Sequence, residues 1–216
     1  MKCVCIFSGG LDSTTLLYEL IHWQHEVHPI SFHYGQKHAV ELTKAALTCA
    51  KLGLDHKIVD IGFLGQFGGS SLTTDTPVPE GNYTAENMKS TVVPNRNMIM
   101  ISIAVAYTIS IKAIRVYYGA HAGDHAIYPD CRPKFLKPLC EAVYHCDWER
   151  IGLDAPYLYF DKAEILKRGL KLGVDYKLTQ TCYNGREKAC GKCGSCIERK
   201  EAFTKNGITD PIEYEC

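Results

Sequence analysis

The chain has 216 residues, of which 46% are hydrophobic, with 24 basic and 24 acidic side chains and a formal net charge of zero. That length favours one domain with a sizeable core, and the balanced charge argues against broad electrostatic capture of DNA, RNA or an anionic membrane. No run of about 18 uncharged apolar residues occurs, and the first residues lack the basic lead and long apolar stretch of a signal peptide, so a cytoplasmic protein is expected.

In chain order, residues 2–7, "KCVCIF", read as a buried strand, followed by the turn "SGGLDST". From Asp12 a helix places Leu16, Leu17, Leu20 and Ile21 on one face. "EVHPISFHY" is a second strand whose start Pro29 weakens. "HAVELTKAALTCAKLG" is an amphipathic helix with Ala39, Leu42, Ala46, Cys49 and Ala50 in its stripe and Gly53 as its cap. "HKIVDIG" is a third strand. This βαβαβ rhythm predicts an α/β fold with a doubly wound parallel sheet.

Residues 62–91 are rich in Gly, Ser, Thr and Pro and show no period, which reads as a lid, a binding loop or a disordered segment. "NRNMIMISIAVAYTISIK" is a largely buried helix and "AIRVYYGA" a fourth strand. The polar loop "HAGDHAIYPDCRP" leads into "PKFLKPLCEAVYHC", helical with a kink or restart at Pro138. "PYLYFDKAEILKRGLKLG" reads as a short strand and then a helix capped by Asp161, with Glu164 completing a capping box. A terminal helix, "SCIERKEAFTKNG", closes the chain.

After the first strand the chain must turn sharply, and Gly9 and Gly10 let backbone amides approach a ligand. Those amides, the hydroxyls of Ser8, Ser13 and Thr14 and the positive end of the helix make an anion cradle. Asp12 would repel a phosphate, so it caps the helix or touches Mg²⁺. The loop lacks the lysine of the usual triphosphate-binding sequence, G-x-x-x-x-G-K-[ST]. A bare glycine turn is the plainer alternative.

Ligands of open parallel sheets bind beyond the C-terminal strand ends, where three polar stretches fall. The first holds His33, Tyr34, Gln36, Lys37 and His38. The second holds Asn95, Arg96 and Asn97, with Arg96 the best cation for a phosphate or carboxylate. The third holds Asp124, Tyr128, Asp130 and Arg132, able to read a polar heterocycle, and also Cys131. Any one of them alone reads as a solvated loop; three around an anion cradle read as a site. His25, His28, His56 and His145 have no ligand-like spacing.

Of the 11 cysteines, Cys182, Cys190, Cys193 and Cys196 form the pattern C-x₇-C-x₂-C-x₂-C. An odd total with one dense cluster suits a metal site in a reducing compartment rather than a disulfide framework. Four thiolates suit a closed, structural Zn²⁺ site; redox-active thiols and an iron–sulfur cluster are the alternatives.

"FSGGLDSTT", "YGQKH", "PNRN", "YPDCRP", "DKAEI" and "TCYNG…CGKCGSC" occur in the order found in the 7-cyano-7-deazaguanine synthases (QueC family), which this chain resembles over nearly its whole length. They belong to the PP-loop, or N-type ATP pyrophosphatase, superfamily. The resemblance implies a Rossmann-like sheet of the adenine nucleotide alpha hydrolase type over residues 1–178 and a zinc-binding segment over 179–216. It implies that Phe7, Ser8, Gly9, Gly10, Leu11, Asp12, Ser13, Thr14, Thr15, Leu16 and Leu17 surround ATP, the loop gripping the β- and γ-phosphates as a leaving unit. It makes the four clustered cysteines ligands of one structural Zn²⁺ per chain, and a homodimer the expected assembly.

The implied reaction converts 7-carboxy-7-deazaguanine, ammonia and ATP, with Mg²⁺, to the nitrile. Adenylation activates the carboxylate, ammonia gives the amide, and a second adenylation followed by loss of AMP gives the nitrile. Transfer of the γ-phosphoryl group is the competing route of activation. Asp12, Ser13, Arg96 and Lys37 are the expected catalytic residues. Tyr34, Asn97, Asp124, Tyr128, Asp130 and Arg132 are assigned to substrate from position. The partners implied are small molecules rather than nucleic acid or membrane, with nitrogen from free ammonia or a partner protein. Three readings compete: a tRNA-modifying PP-loop thiolase or lysidine-type ligase, a variant stopping at the amide, and a nucleotide-binding scaffold with a zinc knuckle.

Overall fold

The structure, a computed structural model, describes residues 1–82 and 84–215. Its core is a five-stranded parallel sheet built from β1 (Lys2–Ile6), β2 (Glu26–His33), β3 (Lys57–Asp60), β4 (Arg115–Tyr117) and β5 (Gly152–Asp154). The spatial order β3-β2-β1-β4-β5 reverses direction beside β1. Val4 pairs with His28 of β2 on one side and Val116 of β4 on the other.

Side chains alternate across a strand, and both faces of this sheet are covered. Cys3, Cys5 and Phe7 join Leu16, Leu17 and Leu20 of α1 (Leu11–His22) and Ala45 and Cys49 of α2 (Val40–Leu52). Ile165 and Leu166 of a later helix, Lys162–Lys171, complete that side. Val4, Ile30, Val116 and Leu153 face the other way. After the one-turn α3 (Ala85–Met88), α4 (Arg96–Ser110) covers them with Ile101 and Ala104, and α5 (Pro133–Tyr144) with Leu136 and Val143. Each fully buried Leu or Ile contributes about 1.5–3 kcal/mol. The chain then forms α6 (Lys162–Lys171) and α7 (Gly194–Lys205), which pack on each other.

The predicted helix ends are found at both marked positions. Gly53, at φ +66°, ends α2 with its amide and that of Leu54 on the carbonyls of Ala50 and Cys49. At α6 the Asp161 carboxylate accepts from the Glu164 amide and the Glu164 carboxylate from the Asp161 amide, both at 2.8 Å.

Two expectations change. The last strand is Gly152–Asp154, before the run "PYLYF", which forms turns. Pro156 has no amide to give a ladder, and Tyr157 is fully buried with its hydroxyl donating to Glu19 Oε2 at 2.6 Å, so the segment packs onto α1 instead. Arg168 donates to the other oxygen of Glu19 at 2.6 Å, joining α1 to α6. The second change is at Pro138, through which α5 runs as one helix; Pro138 lies on its exposed side.

Residues 62–91 hold short helical turns and bury Leu64, Leu72, Val78 and Met88. Glu80 pairs with Cys193, and the Gly81 amide donates to the Lys192 carbonyl at 2.9 Å. The segment is thus laid against the cysteine loop. Beyond it, fully buried Arg199 of α7 has a partner for every N–H: both oxygens of Asp210, the hydroxyls of Thr179 and Thr181 and the Tyr176 carbonyl. A buried guanidinium needs such complete pairing, and here it ties the last residues to the body of the fold.

Candidate functional site

The turn from β1 to α1 shapes the floor of a cleft of about 220 Å³ at the C-terminal strand ends, beside the point where strand order reverses. Gly9 has φ +83°, and a Cβ there would sit 2.5 Å from the Glu41 carbonyl and 2.9 Å from the Ala45 amide. Only glycine lets α2 lie this close to the loop. In the loop itself, the Ser8 and Ser13 hydroxyls lie 3.0 Å apart, the Ser8 amide donates to Ser13 Oγ and the Gly10 amide to Ser8 Oγ, each at 3.2 Å.

Asp12 stands over this loop. Its Oδ2 lies 3.4 Å from Lys162 Nζ and 3.7 Å from His121 Nε2, while its Oδ1 is buried without a partner. Lys162, the first residue of α6, donates to Glu198 Oε2 of α7 at 2.6 Å. Burial disfavours its charge, but the carboxylates of Asp12, Glu198 and Asp124 outweigh that and hold the ammonium well above the usual lysine range. His121 Nδ1 accepts from the Gly123 amide at 3.1 Å, so Nε2 carries its proton and faces Asp12 and Asp124.

The opposite wall comes from the β2 end and α4. Gln36 ties down the turn: its side-chain oxygen accepts from the Tyr34 amide at 2.7 Å and its amide donates to the Phe32 carbonyl at 3.1 Å. Arg96 donates to the Tyr34 hydroxyl at 3.1 Å, and that hydroxyl lies 3.0 Å from His38 Nε2. Burial, then the nearby Arg96 charge, lowers His38 to about 3, so it is neutral. Burial raises the Glu41 carboxyl to about 8 against the pull of Arg96. Deeper in, Tyr128 donates to Thr91 Oγ1 at 2.8 Å, since Thr91 itself donates to the Met88 carbonyl. The Tyr118 hydroxyl is buried without a partner.

Of the residues expected from sequence, Phe7, Ser8, Gly10, Asp12, Ser13, Tyr34, Arg96, Asn97, Asp124 and Tyr128 line this cleft together. The others lie outside it. Gly9 backs onto α2. Leu11, Leu16 and Leu17 are core residues behind the loop, and Thr14 is buried with them. Thr15 donates to the Leu11 carbonyl and meets the Tyr176 hydroxyl at 2.7 Å, a bond that fixes α1. Lys37 donates to the Thr76 carbonyl at 2.6 Å. Asp130 accepts from the Asn97 amide at 3.2 Å and so holds the start of α4. Arg132 pins its own loop through the His125 and Ala126 carbonyls. No described residue of 62–91 lines the cleft. Cys131 does, but burial raises its thiol far above the usual range and Asn97 donates to its sulfur at 3.2 Å.

The cleft also contains residues that the sequence reading passed over: Lys162, His121, Glu41 and Tyr118, with Glu198 behind Lys162. Lys162 follows a capping Asp161, so its side chain turns back over the helix start. The quoted motif "DKAEI" contained that signal without singling it out.

The four clustered cysteines are buried, and their sulfur atoms all lie within 4.8 Å of one another. Four sulfurs about 2.3 Å from one tetrahedral ion would be spaced in that range. The Cys190 amide donates to Cys182 Sγ at 3.3 Å, and the amides of Lys192 and Cys193 donate to Cys190 Sγ at 3.5 and 3.3 Å, contacts that suit sulfur ligands. The set could hold a metal ion. Cys193 caps α7, so the cluster sits at the start of the helix that carries Ser195 and Glu198 to the cleft.

A parallel sheet with this strand order, a glycine loop at the reversal point and a polar cleft above it define a PP-loop type of nucleotide-binding α/β protein. Solved structures share the fold. A 4-thiouridine synthetase in complex with RNA and bound ATP superposes with a TM-score of 0.55 at 18% identity, over 93% of this chain and 49% of that one. NMN synthetase from Francisella tularensis gives 0.55 at 14% identity, over 96% and 77%. The sequence pattern described as queuosine biosynthesis protein QueC matches residues 2–207, and the chain belongs to that family. Among its relatives, a 7-cyano-7-deazaguanine synthase from Hahella chejuensis is 60% identical over 99% of this chain and 93% of its own length. One from Caldicellulosiruptor saccharolyticus is 56% identical over 100% and 96%. It is accordingly an ATP-using ligase of the PP-loop class.

Proposed function

We propose that this chain converts 7-carboxy-7-deazaguanine, ammonia and ATP to 7-cyano-7-deazaguanine by adenylating first the carboxylate and then the amide oxygen. One observation carries the reading: a glycine loop at the start of α1 opens directly onto a cleft whose walls hold fixed cations and polar groups. The pyrophosphate unit would meet the hydroxyls of Ser8 and Ser13 and replace them as the acceptor of the Ser8 and Gly10 amides at the start of α1. Lys162 and Arg96, both held protonated, would offset charge growing at the α-phosphorus and on the leaving group. The heterocycle would lie between Tyr34, Asn97, Asp124 and Tyr128, with the unpartnered Tyr118 hydroxyl free to donate to it.

A carboxylate is inert to ammonia, so activation is the step the protein must supply. Nothing in such chemistry demands covalent participation by a side chain; positioning and charge stabilisation suffice. Mg²⁺ would accompany the triphosphate, and Asp12, whose buried Oδ1 has no protein partner, would be its side-chain ligand. Zn²⁺ would take Cys182, Cys190, Cys193 and Cys196 and act structurally, since four sulfur ligands leave no open position. A four-thiolate site suits the reducing cytoplasm. Small molecules rather than nucleic acid fit the balanced charge. The homodimer rests on the family resemblance.

The test is incubation of the purified protein with ATP, Mg²⁺, ammonium and 7-carboxy-7-deazaguanine. Nitrile by mass spectrometry with AMP and pyrophosphate supports the reading. ADP and phosphate would overturn attack at the α-phosphorus, and an amide that accumulates without nitrile would overturn the second adenylation.

A further inference from the structure

The hydrogen bonds on the β2 side of the cleft have a fixed direction. Arg96 can only donate, so the Tyr34 oxygen accepts from it. The partner in reach of the Tyr34 proton is His38 Nε2 at 3.0 Å, which must then accept. Glu41 Oε2 lies 3.7 Å from that same Nε2, which has no proton to offer it. Among the described residues no other donor reaches the Glu41 carboxylate, although its side chain is only 13% exposed. The start of α2 favours a negative charge there but supplies no bond to it. A carboxyl this buried and without a donor keeps its proton in the empty cleft and ionises when a cationic donor joins it.

His38, 3% exposed on the same wall, has the opposite need: with Nε2 accepting, its unpartnered Nδ1 carries the ring proton and calls for an acceptor. Glu41 belongs to the turn that presses against Gly9, beside the phosphate loop rather than in the deeper part lined by Tyr118 and Cys131. The charged groups around Glu41 are Arg96 of α4, Lys162 of α6 and Asp12 of α1, with the Cys182 thiol behind. Arg96 and Lys162 are committed to Tyr34 and Glu198. What the place lacks is a small cation with several N–H donors.

We propose that Glu41 is the ammonium site of the cleft: its carboxylate holds the ion beside the activated carboxyl and takes the proton that frees the nitrogen lone pair. The inference rests on the adenylation reading above. In the amide-forming step, NH₄⁺ gives one proton to the Glu41 carboxylate. The freed lone pair forms the C–N bond, and the C–O bond to the adenylyl group breaks with its electron pair leaving on AMP. The second proton lost by nitrogen departs with the AMP phosphate or to water. The Glu41 carboxyl returns its proton to solvent before the next turnover.

The experiment compares wild type with Glu41→Gln, which keeps shape and removes the base. Pyrophosphate exchange into ATP, dependent on 7-carboxy-7-deazaguanine and run without ammonium, reports adenylation alone. It should stay within about threefold of wild type, while kcat/KM for ammonium falls by roughly 10²-fold or more. Hydroxylamine, neutral near pH 7 and needing no such deprotonation, should react with the adenylate in the variant within about threefold of its wild-type rate. Equal losses with both nucleophiles, or a raised KM for the deazaguanine with the ammonium dependence unchanged, would overturn the assignment. Absence of exchange in the wild type would instead sink the adenylation reading. Glu41→Asp, which keeps the base but shortens its reach, should fall between wild type and Gln for ammonium only; a matching fall in exchange would also count against the proposal.

Discussion

Lys162 Nζ lies 3.4 Å from Asp12 Oδ2 and 2.6 Å from Glu198 Oε2, so the cleft has a buried ammonium although its glycine loop has no lysine. The cation arrives from the start of α6, and the two carboxylates hold it in place. Lys162→Met should lower kcat by about 10²–10³-fold, the loss typical of removing one charge-stabilising group. It also leaves Glu198 unpaired and Asp12 with only the His121 ring, costing roughly 3–5 kcal/mol. The check is pyrophosphate exchange at a temperature where circular dichroism shows the variant folded. Full exchange in a folded variant would remove Lys162 from the chemistry.

Gly9→Ala tests the contact between the loop and α2. At φ +83° a side chain costs about 1–2 kcal/mol before any clash, and a Cβ 2.5 Å from the Glu41 carbonyl must push the helix away. Denaturant unfolding should show a loss of more than about 2 kcal/mol, and ATP binding should weaken with it. Stability equal to wild type would mean that α2 does not sit as described.

How legible these features were depends on what each residue contacts. The loop and the first three strands could be read because apolar runs and periodic helices there decide their own structure. The capping box at Asp161 and Glu164 is local for the same reason. The last strand was misplaced because the fate of "PYLYF" depends on Glu19, far away in α1. Residues 62–91 showed no period because their partner is the cysteine loop, through Glu80 and Gly81. Lys162 looks like an ordinary charge at a helix start, and Glu41 like a first-turn acid; only the fold brings both to one cleft. Asp130 and Arg132 had the right chemistry for a ligand, but backbone groups of the α4 start and of their own loop occupy them.

Cys193 links the cysteine cluster to the cleft, because it caps the helix that carries Glu198. Cys193→Ser should lose bound zinc, measured by elemental analysis, and lower the thermal midpoint. It should also reduce exchange activity, since α7 then loses the anchor of its first turn. A strong chelator should do the same to wild type, as binding to the native state alone stabilises it. Zinc content unchanged in the variant would refute the ligand assignment.

Glu41 and His38 set opposite pH dependences for the ligand-free protein. Burial raises the Glu41 carboxyl to about 8 from an ordinary 4.5, so between those values the folded state holds a proton that the unfolded state has lost. Stability from this group therefore falls as pH rises through that window, by an order of a few kcal/mol in all. Burial lowers His38 from 6.5 to about 3, so its contribution rises with pH across that range and is complete above 6.5. The two oppose each other in mildly acidic solution and only the Glu41 effect continues above pH 6.5. Glu41→Gln removes that effect. The variant should be more stable than wild type at pH 8.5, and its advantage should shrink steadily toward pH 5, measured by urea unfolding without ATP or ammonium. Parallel curves for the two proteins from pH 5 to 8.5 would show that the carboxyl is already ionised at neutral pH.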